Sequence, residues 1–197
     1  MPDGQLPSLQ TPRLHMRPWR PSDREPFAAL NADPVVMEHF PALLTRAQSD
    51  AFADRIEAHF VEHGYGLWAI ESEDAPFIGF VGLAVPGFEA AFTPCVEVGW
   101  RLARAHWHRG HATEAAQAAI AHGFEDVGLD EIVSFTVVRN HPSRRVMEKL
   151  GMHHAGEFDH PTLPSGHALE RHVLYRLDAD AWRTRTLRNQ GATSSTE

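Results

Sequence analysis

The sequence predicts a mixed α/β (α+β) fold built on one mostly antiparallel sheet, and three observations predict it. Residues 66–70, 77–85 and 96–102 are apolar, strand-like runs whose connections are too short for parallel crossovers, so they form an antiparallel meander. Val96–Leu102, an alanine-rich helical pattern from Gly110 to about Val127, and the β-branched run Ile132–Val138 form a strand–helix–strand unit with parallel neighbouring strands. Met152–Phe158 and His167–Leu177 flank a loop rich in Pro and Gly and read as a closing hairpin.

Taken in order, residues 1–10 are a flexible leader with Gly and Pro, and a single domain occupies 11–183. Arg13–Arg17 alternates apolar and polar residues as a first strand, stopped by Pro18. Pro21-Ser22-Asp23 starts a helix with Phe27 and Leu30 on one face, ended by Asn31-Ala32-Asp33-Pro34 and followed by a short amphipathic segment, Val35–His39. Thr45 and Gln48 have the spacing of a capping box, so residues 46–62 form a second helix, ending at His63-Gly64. Glu71–Pro76 is a polar turn, and the longer Pro86–Pro94 link is long enough to cover part of a site. Gly128-Leu129-Asp130 breaks the long helix, Pro142 opens a short one through Val146, Met147 and Leu150, and Gly151 ends it. Asp178 caps a C-terminal helix through Trp182, and 184–197 is a polar, disordered tail.

Composition narrows the function classes. A net charge of −8 argues against nucleic acid as the main partner. No apolar run approaches the ~20 residues of a membrane span, and MPDGQLPSLQ lacks the features of a signal peptide, so a cytoplasmic protein is expected. Cys95 is the single cysteine and reads as a small buried hydrophobe. The histidine-rich run His106-Trp107-His108-Arg109-Gly110-His111 does not place three imidazoles on one helical face, and no metal is expected.

The stretch with the most chemistry is Val96–Glu114. A helix start has unpaired backbone N–H groups and a partial positive charge. Gly110 lets an anion approach the backbone, Ala112 stays small, and Arg109 adds a cation, which together suit a pyrophosphate. The same residues are compatible with an ordinary strand-to-helix connection.

Three blocks resemble the GNAT N-acyltransferases, and among them the RimJ/RimL type, which acetylates N-termini of ribosomal proteins. They are Thr11–Trp19 with Asp33–Met37; Val96–Trp100 through Thr113-Glu114-Ala115; and Asn140 through Ser143 to Val146–Met152, within a similarity spanning roughly 10–177. The resemblance implies the GNAT fold: a central mixed, mostly antiparallel twisted sheet of about seven strands, helices on both faces, and a splay between the fourth and fifth strands, here 96–102 and 132–138. It implies acetyl-CoA as donor, an amine as acceptor and a homodimer, while charge and hydropathy lead to the expectation of no nucleic acid and no membrane as partner.

Residue by residue, the family's phosphate-binding signature falls on Trp107, His108, Arg109, Gly110, His111 and Ala112, with Thr113 following; Trp107 replaces the usual Gln or Arg. Main-chain groups of Trp100 and Leu102 face the pantetheine, Asn140 and Ser143 lie beside pantetheine and thioester sulfur, and Arg144 lies near the phosphate-bearing part. The tyrosine that donates to sulfur in many relatives is replaced by Met147, so Ser143 is the expected donor, with Asn140 beside it. Glu97 falls where several family members carry a catalytic base; its alternative is a surface-facing carboxylate on a half-exposed strand. Glu157 and Glu170 are weaker candidates for the base. Phe40, Tyr65 and Trp68 are expected in the acceptor groove, with core packing as the alternative. The acceptor candidates are a protein N-terminus, a polyamine, an amino acid or an antibiotic amine. An acyl-CoA-binding sensor that has lost catalysis is the alternative function.

Overall fold

The structure, a computed structural model, describes residues 6–193. In chain order the elements are β1 (Leu9–Gln10), β2 (Leu14–Arg17), α1 (Arg24–Ala32), α2 (Arg46–His63), β3 (Leu67–Ser72), β4 (Ala75–Ala84) and β5 (Glu97–Leu102). Then follow α3 (His111–His122), β6 (Glu131–Val137), α4 (His141–Leu150), β7 (His153–Asp159), β8 (Arg171–Asp178) and α5 (Ala179–Thr193). One eight-stranded sheet runs in the order β1-β2-β3-β4-β5-β6-β8-β7, antiparallel except for the β5–β6 pair.

Two expectations are corrected at the ends. Leu9-Gln10 is not loose leader but an edge strand against His15 and Met16, and the Trp68 indole N–H donates to the Pro7 carbonyl at 2.7 Å. That strand raises the count from about seven to eight, so the parallel pair is the fifth and sixth strands in chain order. At the other end, Asp178 accepts from the Ala181 N–H at 2.8 Å as expected, but the helix it opens continues to Thr193 across residues read as tail. The Arg185 guanidinium donates to the Lys149 carbonyl, tying α5 to the end of α4. Residues 1–5 of the leader and 194–197 of the tail lie outside the described residues. Val35–His39 forms turns.

Register partners on neighbouring strands share a face of the sheet. Phe80 of β4 pairs with Arg101 of β5, and its ring centroid lies 5.9 Å from those of both Phe27 in α1 and Phe52 in α2. That face is therefore covered by α1 and α2. Leu83 pairs with Val98 on the opposite face, where a Cβ added to Gly123, just past α3, would collide with Leu83 and Ile132 at 2.9 Å. The close packing of α3 on the sheet depends on that glycine. Tyr175 of β8 donates to Glu148 of α4 at 3.2 Å, and Trp182 of α5 stacks near Phe124 at 6.0 Å, so α4 and α5 share the α3 face.

The start of α1 is fixed by a buried ion cluster: Arg17 of β2 bonds both Asp23 oxygens at 2.7 and 2.8 Å and Glu71 of β3 at 2.8 Å. This holds α1 against the sheet and directs its C-terminal Asn31 towards β5. Among the described residues no helix is long and apolar enough to cross a membrane.

Candidate active site

The sheet is split at β5 and β6. Their ladder holds one register pair, Glu97 with Val133, closed by the Val133 N–H donating to Val96 at 2.9 Å. At Val98 the ladder has already failed, because the Val98 carbonyl accepts from the Ser134 hydroxyl at 2.9 Å. Backbone polar groups alternate along a strand, so those of Trp100 and Leu102 point the same way as those of Val98, into the gap. Phe135 and Val137 do the same from β6. The Leu102 carbonyl already accepts from the Trp107 indole at 2.7 Å, which leaves its N–H facing the gap.

The N-terminus of α3 lies beyond the open end of this gap. α2 is capped by Thr45 and Gln48 and α4 by Asn140, whereas α3 has no side-chain cap. The first intrahelical bond is made by Glu114 N–H to the Gly110 carbonyl at 3.0 Å, so the N–H groups of His111, Ala112 and Thr113 are the orphan donors of the first turn. The backbone turns left-handed at His108 (φ 60°) and at Gly110 (φ 82°), curling the amides into a concave anion site.

A Cβ at Gly110 would lie 3.3 Å from an Arg13 nitrogen. Arg13 also donates to the Arg109 carbonyl at 2.8 Å and to Glu114 at 2.6 Å. Burial opposes charge on Glu114, but the Thr11 hydroxyl at 2.7 Å and the Arg13 donors outweigh it and hold the carboxyl below its usual range. The one carboxylate in the first turn is thereby paired. Arg109 is half exposed and touches Asp74 at 3.3 Å. The uncapped amides, the glycine at closest approach and the Arg109 and Arg13 cations fit a diphosphate.

One member of this loop differs from expectation. Trp107 turns inward: its indole bonds Leu102 and its backbone N–H bonds Arg104 at 3.2 Å, so it supports the loop and has no donor left for a cofactor. The His111 ring is buried with Nδ1 unpartnered, and burial, with Arg13, His106 and Arg109 nearby, lowers its pKa; its contribution to an anion is its backbone N–H.

At the start of α4 the Asn140 carbonyl oxygen accepts from the Ser143 N–H at 3.3 Å, which fixes the amide orientation. Its NH2 then donates to Thr136 at 2.9 Å and to the Ser143 hydroxyl oxygen at 3.1 Å. Because Ser143 accepts from Asn140, its own O–H proton is free to be donated elsewhere. Arg144 is held by one bond to the Val138 carbonyl at 3.0 Å, leaving its other donors. Met147, one turn after Ser143 on α4, is buried in the core.

Glu97 sits on the face covered by α1 and α2. A Cβ at Gly99 would be 3.9 Å from its carboxyl oxygen, so the carboxyl leans over Gly99 towards the open end of the gap. The residue is half-buried, and burial pushes its pKa up to about 8. Cys95, on the same face, is raised to about 11, by burial first and by Glu97 second, and is a neutral thiol. Glu157 is paired with Arg171 at 2.9 Å and Glu170 accepts from the Gly166 N–H at 2.6 Å, so both hold the β7–β8 hairpin.

Two of the three aromatics expected in the acceptor groove are core. Trp68 is 0% exposed and, paired through Val81 with Trp100, lies on the face opposite Glu97, edge-on to His122 at 5.5 Å. Tyr65 is buried against His59. Phe40 remains: it is 37% exposed and its ring lies 4.0 Å from the Arg101 guanidinium.

Sequence reasoning missed two groups beside the site. Arg101 is bonded to the buried Asn31 carbonyl oxygen, and the signal for it was its parity, four residues from Glu97 on the same strand face. The second is an aromatic wall in which Phe88 and Phe92, from the β4–β5 link, pack on Phe135 and Phe158 at 4.8–6.0 Å. His160 and His172 complete it, 4.9 Å apart, both lowered in pKa by burial. The length of the Pro86–Pro94 link hinted at this wall. Among the described residues no three His, Cys, Asp or Glu side chains are grouped to hold a metal ion.

Comparison with known proteins places this geometry. Over 187 residues the chain is 29% identical to FsC-acetyl coenzyme A-N(2)-transacetylase of Aspergillus fumigatus, covering 89% of this chain and 78% of that protein. It is 30% identical over 149 residues to the uncharacterized protein YkkB of Bacillus subtilis, covering 75% and 86%. A GNAT-family acetyltransferase from Bacillus anthracis superposes with a TM-score of 0.73 at 23% identity, over 88% of this chain and 99% of that one, and shares the fold. The family described as acetyltransferase (GNAT) domain matches residues 13–153, the span that carries β5, the uncapped helix and Asn140–Ser143 alike, and the chain belongs to it.

Proposed function

We propose that this acetyltransferase takes its acetyl group from acetyl-CoA and transfers it directly to a primary amine, as a RimJ/RimL-type enzyme in which Ser143 replaces the tyrosine acid. The observation that carries the reading is the β5–β6 gap, lined by unladdered main chain and opening beside the uncapped start of α3. When bound, acetyl-CoA supplies a thioester whose carbonyl an amine attacks and whose thiol leaves.

His111, Ala112 and Thr113 N–H groups, with Arg109, hold the diphosphate, and Arg144 adds donors further along. The Trp100 and Leu102 main chain holds the pantetheine as an added strand would be held. Glu97, with its pKa near 8, takes the proton from the acceptor amine, since a base works best when its pKa lies near the operating pH. Ser143, oriented by Asn140, donates its proton towards the departing sulfur; a thiol pKa of about 8.5 makes one hydrogen bond enough. Protein N-terminal amines and small amines are the two acceptor classes compatible with the likeness, and the Aspergillus relative's name points to an N(2) nitrogen as acceptor.

The test is release of free CoA thiol from acetyl-CoA, with and without N-terminal peptides, polyamines, amino acids and aminoglycosides. Release stimulated by one amine class is expected. Saturable acetyl-CoA binding with no release beyond the amine-free rate would overturn transfer in favour of a sensor.

A further inference from the structure

Two arginines of the described fold are buried in the sheet, and they are treated differently. Arg17 has Asp23 and Glu71 as counterions. Arg101 is 9% exposed and, among the described residues, no carboxylate reaches it; Asn31 accepts from one of its nitrogens, and its Nε is buried with no partner. The rest of its surroundings are ring faces, Phe40 at 4.0 Å, Phe80 at 5.3 Å and Phe52 at 5.8 Å. Burial lowers its pKa only to about 10, so it remains a cation at neutral pH.

An unpaired buried charge is costly, and one amide with three aromatic faces offsets only part of that cost. A guanidinium also presents a planar fork that matches a carboxylate, and here part of the fork is unused. Its position matters as much as its charge. Arg101 shares a strand face with Glu97, whose carboxyl lies over Gly99, two residues away or ~7 Å along the strand. Phe40, which covers Arg101, is part-exposed and belongs to a segment of turns with no helix around it. His39 beside it has a buried, unpartnered Nδ1, and its pKa is lowered by burial first, with Glu38 opposing and Arg139 and His141 adding to the shift.

We propose that Arg101 is a carboxylate-recognition residue of the acceptor site, and that the acceptor is a small primary amine carrying a carboxylate a few methylenes from its nitrogen. With the amine at Glu97, the carboxylate completes the Arg101 fork once Phe40 moves aside. This rests on the acetyl-transfer reading for the role of Glu97, whereas recognition by Arg101 is a binding property that stands apart from turnover.

The experiment compares matched ligands on the full chain: glycine, 3-aminopropanoate, 4-aminobutanoate, 5-aminopentanoate and 6-aminohexanoate, each against its primary amide. Binding to the CoA-saturated protein is measured by calorimetry, and transfer by thiol release. Acids are expected to be favoured over their amides by roughly 30-fold or more, as suits a charge-assisted bond, with the best length inside the series. Arg101→Met should reduce that ratio to near unity, and Arg101→Lys should keep part of it. Because the ratio is read first on the unaltered protein, a variant that fails to fold does not decide the result. Equal handling of acids and amides, or no binding of the acids at all, overturns the proposal. Absence of thiol release with a preserved binding ratio would overturn the transfer reading and leave Arg101 recognition standing.

Discussion

A glutamate whose pKa is lifted from the ordinary 4.5 to about 8 by burial has consequences for both rate and stability. As a base it works only when ionised, so turnover should climb as the pH passes through about 8. Glu97→Gln should lower kcat by roughly two to four orders of magnitude, remove that rising limb, and leave CoA affinity intact. The stability effect has the opposite sense. Between about pH 4.5 and 8 the folded chain keeps a proton on Glu97 that the unfolded chain has lost, so stability falls as the pH rises across that window and levels off above it. The Tm of Glu97→Gln relative to the parent should therefore increase from pH 5 to pH 8.5, and parallel Tm curves would show that the carboxyl is not buried as described. Glu97 was singled out by the family resemblance, whereas its parity on the strand read equally well as a surface-facing carboxylate, and its burial is a tertiary fact. Arg101 follows the same parity but went unread, since its partners Asn31 and Phe40 come from a helix and a turn 61 to 70 positions away. No local pattern marks a charge as buried when its environment is assembled over that distance.

Among the elements, α3 shows what a short motif does and does not reveal. Its start was readable, because a glycine in a basic turn ahead of an alanine-rich run is a local signature. Its lack of a cap was also local, since Gly110 stands where Thr45 and Asn140 stand in α2 and α4. The inward turn of Trp107 was not readable, because it depends on the Leu102 carbonyl being left without a ladder partner by the split in the sheet. The same holds for Trp68, whose face is set by register through β4 to β5, and for β1, whose two residues are too few to carry a pattern. Gly110→Glu tests the element directly. It places a side chain at φ 82°, within 3.3 Å of Arg13, and a carboxylate at three orphan amides. CoA affinity should fall by roughly a hundredfold, the equivalent of about 2.7 kcal/mol, while the circular dichroism spectrum keeps its native shape. Unchanged affinity would remove the diphosphate from this helix.

At the scale of the whole molecule, the sheet is two sheets joined at one residue pair: β1–β5 on one side and β6, β8 and β7 on the other, meeting at Glu97 and Val133. The β3–β4–β5 meander and the parallel pair were legible from connection lengths, but the place of β8 between β6 and β7 was not, nor was the extent of the split, because Ser134 taking the Val98 carbonyl is a side-chain event within a run that reads as a continuous strand. A ligand lying in the split contacts both halves and exists only with the folded state, so it must stabilise the fold by mass action. At CoA concentrations about a hundredfold above Kd the gain is about 2.7 kcal/mol, and for a chain of this length that corresponds to a Tm increase of roughly 5–10 °C. Surface binding of CoA would raise Tm too, so location is the discriminating part. The amides of Trp100 and Leu102 on β5 and of Phe135 and Val137 on β6 face the gap, whereas Gly99 and Arg101 face β4 and Ser134 and Thr136 face β8. Hydrogen exchange resolved to single residues should therefore slow on CoA binding at alternate positions of β5, at Trp100 and Leu102 but not at Gly99 and Arg101. A uniform slowing along β5 would instead report a general tightening of the sheet and would place the ligand outside the split.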